Sequence, residues 1–224
     1  MLRTRRTVRV GMAAAALSLA MTAAAGAPAA AQADALGTSA AERPTVKLTY
    51  KRLRGKVGGR FAVRGRVSPA AGRTRMALKI RTRSGWRVLD RARTRADGRF
   101  RLGRRVQVPT SAPVGVIARP GTRHAVRRRP GRLEAYRVAI ASWYGPGLYG
   151  NRTACGGRLG YSSLGVAHKY LPCGTMVTFR HRGRSVRVPV IDRGPYVGGR
   201  EWDLTGATAR ALGFTGVGTV WTTI

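Results

Sequence analysis

Acidic residues are scarce: 8 Asp plus Glu stand against 43 Lys plus Arg in 224 residues, a formal charge of +35. Two cysteines and three histidines are too few to build a zinc finger or an iron–sulfur cluster from this chain alone. No glycine-rich loop ending in Gly-Lys-Ser/Thr is present, so the nucleotide-hydrolysing classes lack their usual signature as well. No metal site and no cofactor are expected. Aromatic residues make up only 7%. With 30 Gly and 11 Pro, composition favours short strands and turns over long packed helices, while an apolar content of 43% is enough to build a core. The length accommodates one or two domains of ordinary size.

The N-terminal residues read as an export signal. Arg3, Arg5, Arg6 and Arg9 form a basic head, an Ala-rich apolar run extends from Gly11 to Ala25, and Ala31-Gln32-Ala33 offers small residues where a signal peptidase cuts. Residues 1–33 are therefore expected to be a cleaved secretory signal, followed by a flexible segment over 34–44. A retained membrane anchor is the competing reading, against which the apolar run is short for the roughly 20 residues of a span and ends in Gly26 and Pro28. The mature protein is expected to be secreted and wall-associated, with no integral membrane span.

That placement directs the reading of the charge. A basic excess of this size neutralises phosphates and would ordinarily point to nucleic acid. For an exported protein the expected counterparts are anionic wall polymers or lipid head groups, and no nucleic-acid partner is expected. A plain solvated surface rich in Arg through composition alone is the alternative. The charge is also uneven: residues 45–134 hold 27 basic and 3 acidic side chains, residues 135–224 hold 11 and 3.

The first half reads as a small β-domain over 45–118. Apolar residues alternate with Arg or Lys as Val46, Leu48, Tyr50, then Phe61, Val63, Val67, then Met76, Leu78, Ile80, then Trp86, Val88, and finally Phe100, Leu102. Turn signals separate the runs at Gly58-Gly59, Pro69 to Gly72, Ser84-Gly85 and Asp97-Gly98, the last a strong hairpin signal. This pattern predicts a half-buried antiparallel sandwich of immunoglobulin-like type with a binding or spacer role. Residues 119–134, with Pro120-Gly121, Arg127-Arg128-Arg129 and Pro130-Gly131, read as a basic linker.

The second half, 135–224, carries ordered motifs. They are Ala141-Ser142-Trp143-Tyr144-Gly145-Pro146-Gly147, Asn151-Arg152-Thr153-Ala154-Cys155-Gly156 and Gly165-Val166-Ala167-His168-Lys169. Leu171-Pro172-Cys173-Gly174-Thr175, Val190-Ile191-Asp192-Arg193-Gly194-Pro195-Tyr196 and Gly199-Arg200-Glu201-Trp202-Asp203-Leu204-Thr205 follow. This set resembles the rare lipoprotein A (RlpA) family. The resemblance covers residues 139–224 and implies a six-stranded double-psi β-barrel related to expansins and barwin, giving an all-β chain of two domains. It further implies a secreted protein whose partner is the peptidoglycan glycan strand, acting as a lytic transglycosylase that leaves 1,6-anhydro-muramic ends.

The residues support such a fold independently. Runs at 137–141, 175–179, 185–191 and 219–223 are β-rich, and one helix is predicted over 207–212, with Thr205 capping its start and Gly213 its end. Cys155 and Cys173, an even pair in an exported chain, are expected to form a disulfide. Closing that loop would be worth about 3 kcal/mol on the chain-entropy model, pinning residues 151–157 against the strand entry at Gly174. A catalytic thiol is the rival reading.

Glycosidic cleavage needs a carboxyl group to protonate the leaving oxygen, and hydrolysis usually adds a second to activate water or attack. A lytic transglycosylase needs less, because the muramic acid's own carbon-six hydroxyl attacks. Asp192, at the family's Asp-Arg-Gly-Pro position, is the first acid/base candidate. Asp203 is its expected neighbour, where like-charge repulsion would hold a proton longer; capping of the following helix is the other reading. His168 matches the family's Ala-His position, as a partner of the carboxylate or sugar, or else as a histidine that knits a strand. Trp143, Tyr144 and Tyr196 are candidate sugar-stacking faces, and Thr153 and Arg193 candidate substrate contacts, with an Arg193–Asp192 ion pair the alternative for Arg193. One departure stands out. Where RlpA enzymes carry a Glu implicated in catalysis after Arg-Thr-Ala-x-Gly, this chain has Gly157. A non-catalytic expansin-like module that binds or loosens the wall is therefore the alternative function, with Glu201 a residue that could stand in for the missing acid. A secreted inhibitor on the barwin-like scaffold is a third reading.

Overall fold

Alternation of apolar and basic residues gives seven strands before the shared central one. These are β1 (Thr45–Arg52), β2 (Arg54–Lys56), β3 (Arg60–Ser68), β4 (Arg75–Thr82), β5 (Gly85–Arg93), β6 (Arg99–Arg105) and β7 (Thr110–Arg119). The computed structural model describes residues 43–70, 72–121 and 125–224; the signal reading of 1–33 and most of the 34–44 segment lie outside them. Strands β1, β3 and β6 form one antiparallel sheet. Strands β5, β4 and β7 form the second and continue into β8 (Val126–Tyr144). One apolar core lies between them, built from Val46, Phe61, Val63, Leu78, Leu102 and Val116 among others.

Two aromatic residues of the alternating pattern do not join this core. A register shift between Leu48 and Tyr50 turns Tyr50 outward, and Trp86 lies beside Gly115, also exposed. The Asp97-Gly98 turn is not a hairpin between paired neighbours, because it leads from β5 in one sheet to β6 in the other, where β6 pairs with β3. Asp97 Oδ1 accepts from the Arg99 N–H at 2.9 Å. Gly98 has φ +79° and passes so near the Val67 carbonyl that a side chain would collide.

The basic stretch expected to be a linker is largely strand. Residues 126–134 are the first part of the 19-residue β8, paired antiparallel with β7 and, from Glu134, parallel with β2. Pro130-Gly131 sits where the β7–β8 register shifts, with Gly131 at φ +132°. A Pro-Gly pair that signals a turn in sequence is here absorbed as an irregularity within a strand. Buried Glu134 anchors the passage, its Oε2 2.7 Å from Arg54 Nε and accepting from Tyr136 Oη at 2.9 Å. Burial, then the Glu134 hydrogen bond, push the Tyr136 phenol up to about 12.

Beyond Tyr136 the same strand enters a second apolar cluster centred on Val177, Phe179, Val188, Trp202, Leu204 and Leu212. The remaining elements are β9 (Val166–Ala167), β10 (Met176–His181), β11 (Arg184–Asp192), β12 (Trp202–Thr205), α1 (Gly206–Leu212) and β13 (Gly218–Thr222). Their pairings run β8–β13–β10–β11–β9–β12 and return to β8 through a parallel β12–β8 ladder. The predicted strand runs and helix are found, with Thr205 Oγ1 accepting from the Thr208 N–H and Gly213 closing the helix in the left-handed region. No helix among the described residues is long and apolar enough to cross a membrane.

Candidate active site

A cleft of about 260 Å³ opens where β8 and β11 end and β12 begins. Tyr144, Asp192, Arg193 and Asp203 line it from those ends, and the loop after β8 adds Thr153 and Arg152. Strand pairing decides this convergence: β12 runs parallel to β8, placing Asp203 opposite Ser142 and Thr205 opposite Tyr144, while Asp192 and Asp203 both pair with Ala167 of β9. Residues 61 and 11 positions apart in the chain are thereby brought to one mouth.

Asp192 is held on several sides. Its Oδ1 accepts from the Ala154 N–H at 2.8 Å and the Arg193 N–H at 2.9 Å, and its Oδ2 accepts from Tyr144 Oη at 3.3 Å. Burial, and then the neighbouring Asp192 charge, raise the Tyr144 phenol far above its ordinary value, so it remains a donor. Asp203 Oδ1 accepts from Ser142 Oγ at 2.9 Å. Burial raises the Asp203 carboxyl above its usual range and Asp192 adds to the shift, against the opposing Ser142 hydrogen bond and the Arg200 charge. Helix capping falls to Thr205, so the capping reading of Asp203 is set aside.

The ion-pair reading of Arg193 is not what the geometry shows. Its guanidinium donates to the carbonyls of His168 (3.3 Å) and Asp192 (3.4 Å) and lies 3.3 Å from Cys173 Sγ. Cys173 is disulfide-bonded to Cys155, which rules out a free thiol at either position. On the two sides of that bridge, the Cys155 N–H donates to Ile191 O and the Gly174 N–H to Val190 O, tying the 151–157 loop to β11. Thr153 is buried in this loop and its hydroxyl donates to Gly156 O.

His168 is close by, but its ring is not among the residues lining the cleft. Nδ1 accepts from the Tyr170 and Leu171 N–H groups at 3.1 and 3.0 Å, and the ring packs against Trp202 at 4.5 Å between centroids. The His168 main-chain N–H donates to Asp192 O at 3.2 Å. Burial lowers its pKa below the ordinary imidazole value, helped by Arg137 and Arg193 and opposed by Glu201. Trp143 and Tyr196 also lie outside the lining, Trp143 beside Gly206 and Tyr196 80% exposed. Glu201 is bound to Arg137 through both carboxylate oxygens and does not line the cleft. Gly157 sits in the same loop at φ +76°, with open space where a side chain would project. Sequence reasoning missed Ser142, the Ala154 N–H and Arg152, whose only signal was membership of the quoted motifs.

Residues 137–224 match the family model described as "Lytic transglycolase". A probable endolytic peptidoglycan transglycosylase RlpA of Synechocystis sp. is 52% identical over 92 residues, 39% of this chain and 29% of that protein. A protein of the same description from Aquifex aeolicus is 42% identical over 40% of this chain and 39% of its own length. The chain thus spans less than half of these relatives. Among solved structures, the Streptomyces papain inhibitor aligns over 40% of this chain and 94% of its own, at 24% identity and a TM-score of 0.30. The matched segment and the ordered motifs it contains place residues 137–224 in the RlpA-like double-psi β-barrel family.

Proposed function

We propose that the round of six strands through β8 is a double-psi β-barrel that cleaves peptidoglycan glycan strands as a lytic transglycosylase, in a protein exported to the cell wall, with an immunoglobulin-like sandwich in front of it. The observation that carries this reading is the cleft in which Asp192 and Asp203 stand together. None of the salt bridges among the described residues involves either of them.

The reaction fits a site with few acids. The carbon-six hydroxyl of a muramic residue attacks its own anomeric carbon, the bond from that carbon to the departing sugar's oxygen breaks, and a carboxyl proton passes to that oxygen. The resulting carboxylate accepts the hydroxyl proton, so no water is consumed and one group serves as acid and then base. Asp192 takes that role, and Asp203, whose burial favours its neutral form, stands beside it in the cleft as the second carboxyl group. Tyr144, Thr153 and Arg193 are the substrate contacts within the cleft, with Trp143 and Tyr196 as outer stacking faces. His168 is a positioning residue: its main-chain N–H holds the Asp192 main chain, and its ring braces the turn that follows by accepting from the Tyr170 and Leu171 N–H groups.

Gly157 favours a second reading. Its backbone adopts a conformation suited to glycine and presents no carboxylate where RlpA enzymes carry Glu, as expected of an expansin-like module that binds without cleaving. Digestion of purified sacculi with wild type and Asp192→Asn, followed by mass spectrometry of the soluble fraction, separates the two. Anhydro-ended fragments from wild type alone support cleavage. Sacculus binding without fragments overturns it in favour of the binder.

A further inference from the structure

The outer face of the β1–β3–β6 sheet carries an array of like charges that folding alone disfavours. Arg64 is paired directly with Arg101, Arg66 with Arg99, and Arg60 with Arg105, while Lys47 extends the Arg66–Arg99 row onto β1. All of these side chains are exposed. Like charges directly opposite one another across a sheet destabilise it, and here the arrangement repeats row after row. A cleft of about 630 Å³ on this side is lined by Arg64, Arg66, Arg93, Arg95, Arg99 and Arg101, and no carboxylate lines it. Two acids among the described residues touch this sheet: Asp97, 3.3 Å from Arg99 Nε and with its carbonyl accepting from Arg66 Nε at 2.8 Å, and Asp90, whose Oδ2 accepts from the Gly103 N–H of β6 at 2.7 Å. The Arg64 guanidinium lies 5.0 Å over the Tyr50 ring, which the β1 bulge has turned to this face.

We propose that this sheet face and its cleft bind a linear phosphodiester polymer of the cell wall, such as a poly(glycerol phosphate) chain. Arginines two positions apart on a strand stand about 7 Å apart and those on neighbouring strands about 5 Å, a grid that meets successive phosphates on one chain. Guanidinium forks match phosphate oxygens in pairs, and a bound polyanion converts cross-strand repulsion into shared attraction. The sandwich then retains the protein on the wall while the other half reaches the glycan. The choice of a wall polymer among polyanions rests on the wall-directed function proposed above; the arginine surface itself does not.

The test is binding of the full chain to fluorescent poly(glycerol phosphate), measured by anisotropy across a series of salt concentrations. It compares wild type with Arg64→Gln/Arg66→Gln/Arg99→Gln/Arg101→Gln and with Arg81→Gln/Arg83→Gln/Arg87→Gln/Arg91→Gln on the β4–β5 hairpin, which removes the same charge elsewhere. The first variant is expected to lose affinity at least tenfold and to flatten the slope of log K against log salt by about 3, the hairpin variant less than threefold. Removing opposed charges leaves the sheet folded, which the melting curve checks; the double variant Arg64→Gln/Arg101→Gln, expected to lose about threefold or more, provides a second reading. Equal losses in both quadruple variants, or none in either, overturn the proposal. Equal affinity for single-stranded DNA of the same phosphate number overturns the choice of a wall polymer. Sacculus digestion by the first quadruple variant is read separately, so failure of this surface and failure of the cleavage reading are distinguishable.

Discussion

Across the sandwich sheets arginine faces arginine on an open surface, whereas in the β9–β13 half the carboxylates are drawn to particular partners. Asp192 and Asp203 gather at a cleft and Glu201 binds Arg137. The same basic composition therefore serves two physical ends. On the sandwich, charge stays in water, where its repulsion is tolerable because solvent and salt screen it. In the second half, burial changes what the groups do: Asp203 and Tyr144 are pushed towards their neutral forms, and three donors fix the Asp192 carboxylate. A surface array can act only by summed attraction, while a cleft can act on one bond.

The largest expected effect lies in the cleft. Asp192→Asn should lower release of anhydro fragments by about 10² to 10⁴-fold, the usual worth of a positioned acid/base group, with poly(glycerol phosphate) affinity unchanged; a parallel loss of both would break the division between the halves. Next, Leu102→Ala in the sandwich core and Leu204→Ala in the second core should each cost about 2–5 kcal/mol by denaturant unfolding, since both side chains are fully buried. The first should leave cleavage intact under conditions where the protein is still folded. Replacing Cys155 and Cys173 together by Ser should cost about 3 kcal/mol and loosen the 151–157 loop, read as faster hydrogen exchange at Ala154.

The smallest effects are in pH dependence, and they have opposite signs. His168 binds its proton less readily folded than unfolded, so its contribution to stability is present above its ordinary pKa near 6.5 and is lost as pH falls through that value towards the lower folded one. Asp203 binds its proton more readily folded, so stability falls as pH rises from its ordinary value near 3.8 to the higher folded one. Melting temperatures across pH 3 to 8 should lose the first trend in His168→Gln and the second in Asp203→Asn.

Much of this was legible in the chain. Alternation identified Val46, Phe61, Val63, Leu78 and Leu102 as core, and Thr205 and Gly213 marked the ends of the helix, because burial and capping act on near neighbours in sequence. Pro130-Gly131 misled for the converse reason: a turn signal describes backbone preference, and whether it becomes a loop or a strand irregularity depends on the partner strand. Asp203 shows the same limit at the site. Its position before a helix fitted a cap, but the parallel β12–β8 ladder set Ser142 opposite it and turned it to the cleft. His168 was legible as a motif residue, but the two N–H groups that occupy its Nδ1 come from the turn it supports.

By itself the sequence determined the scarcity of acids, the β periodicity, the paired cysteines and the ordered motifs from Ala141 to Thr205, since each is a property of residue type and short-range spacing. Only the tertiary structure decided that one strand serves both cores, that Asp192, Asp203 and Tyr144 meet at one mouth, and that arginines oppose arginines across β3 and β6. Those facts depend on register between strands distant in the chain, and register is fixed when the strands pack together over their cores.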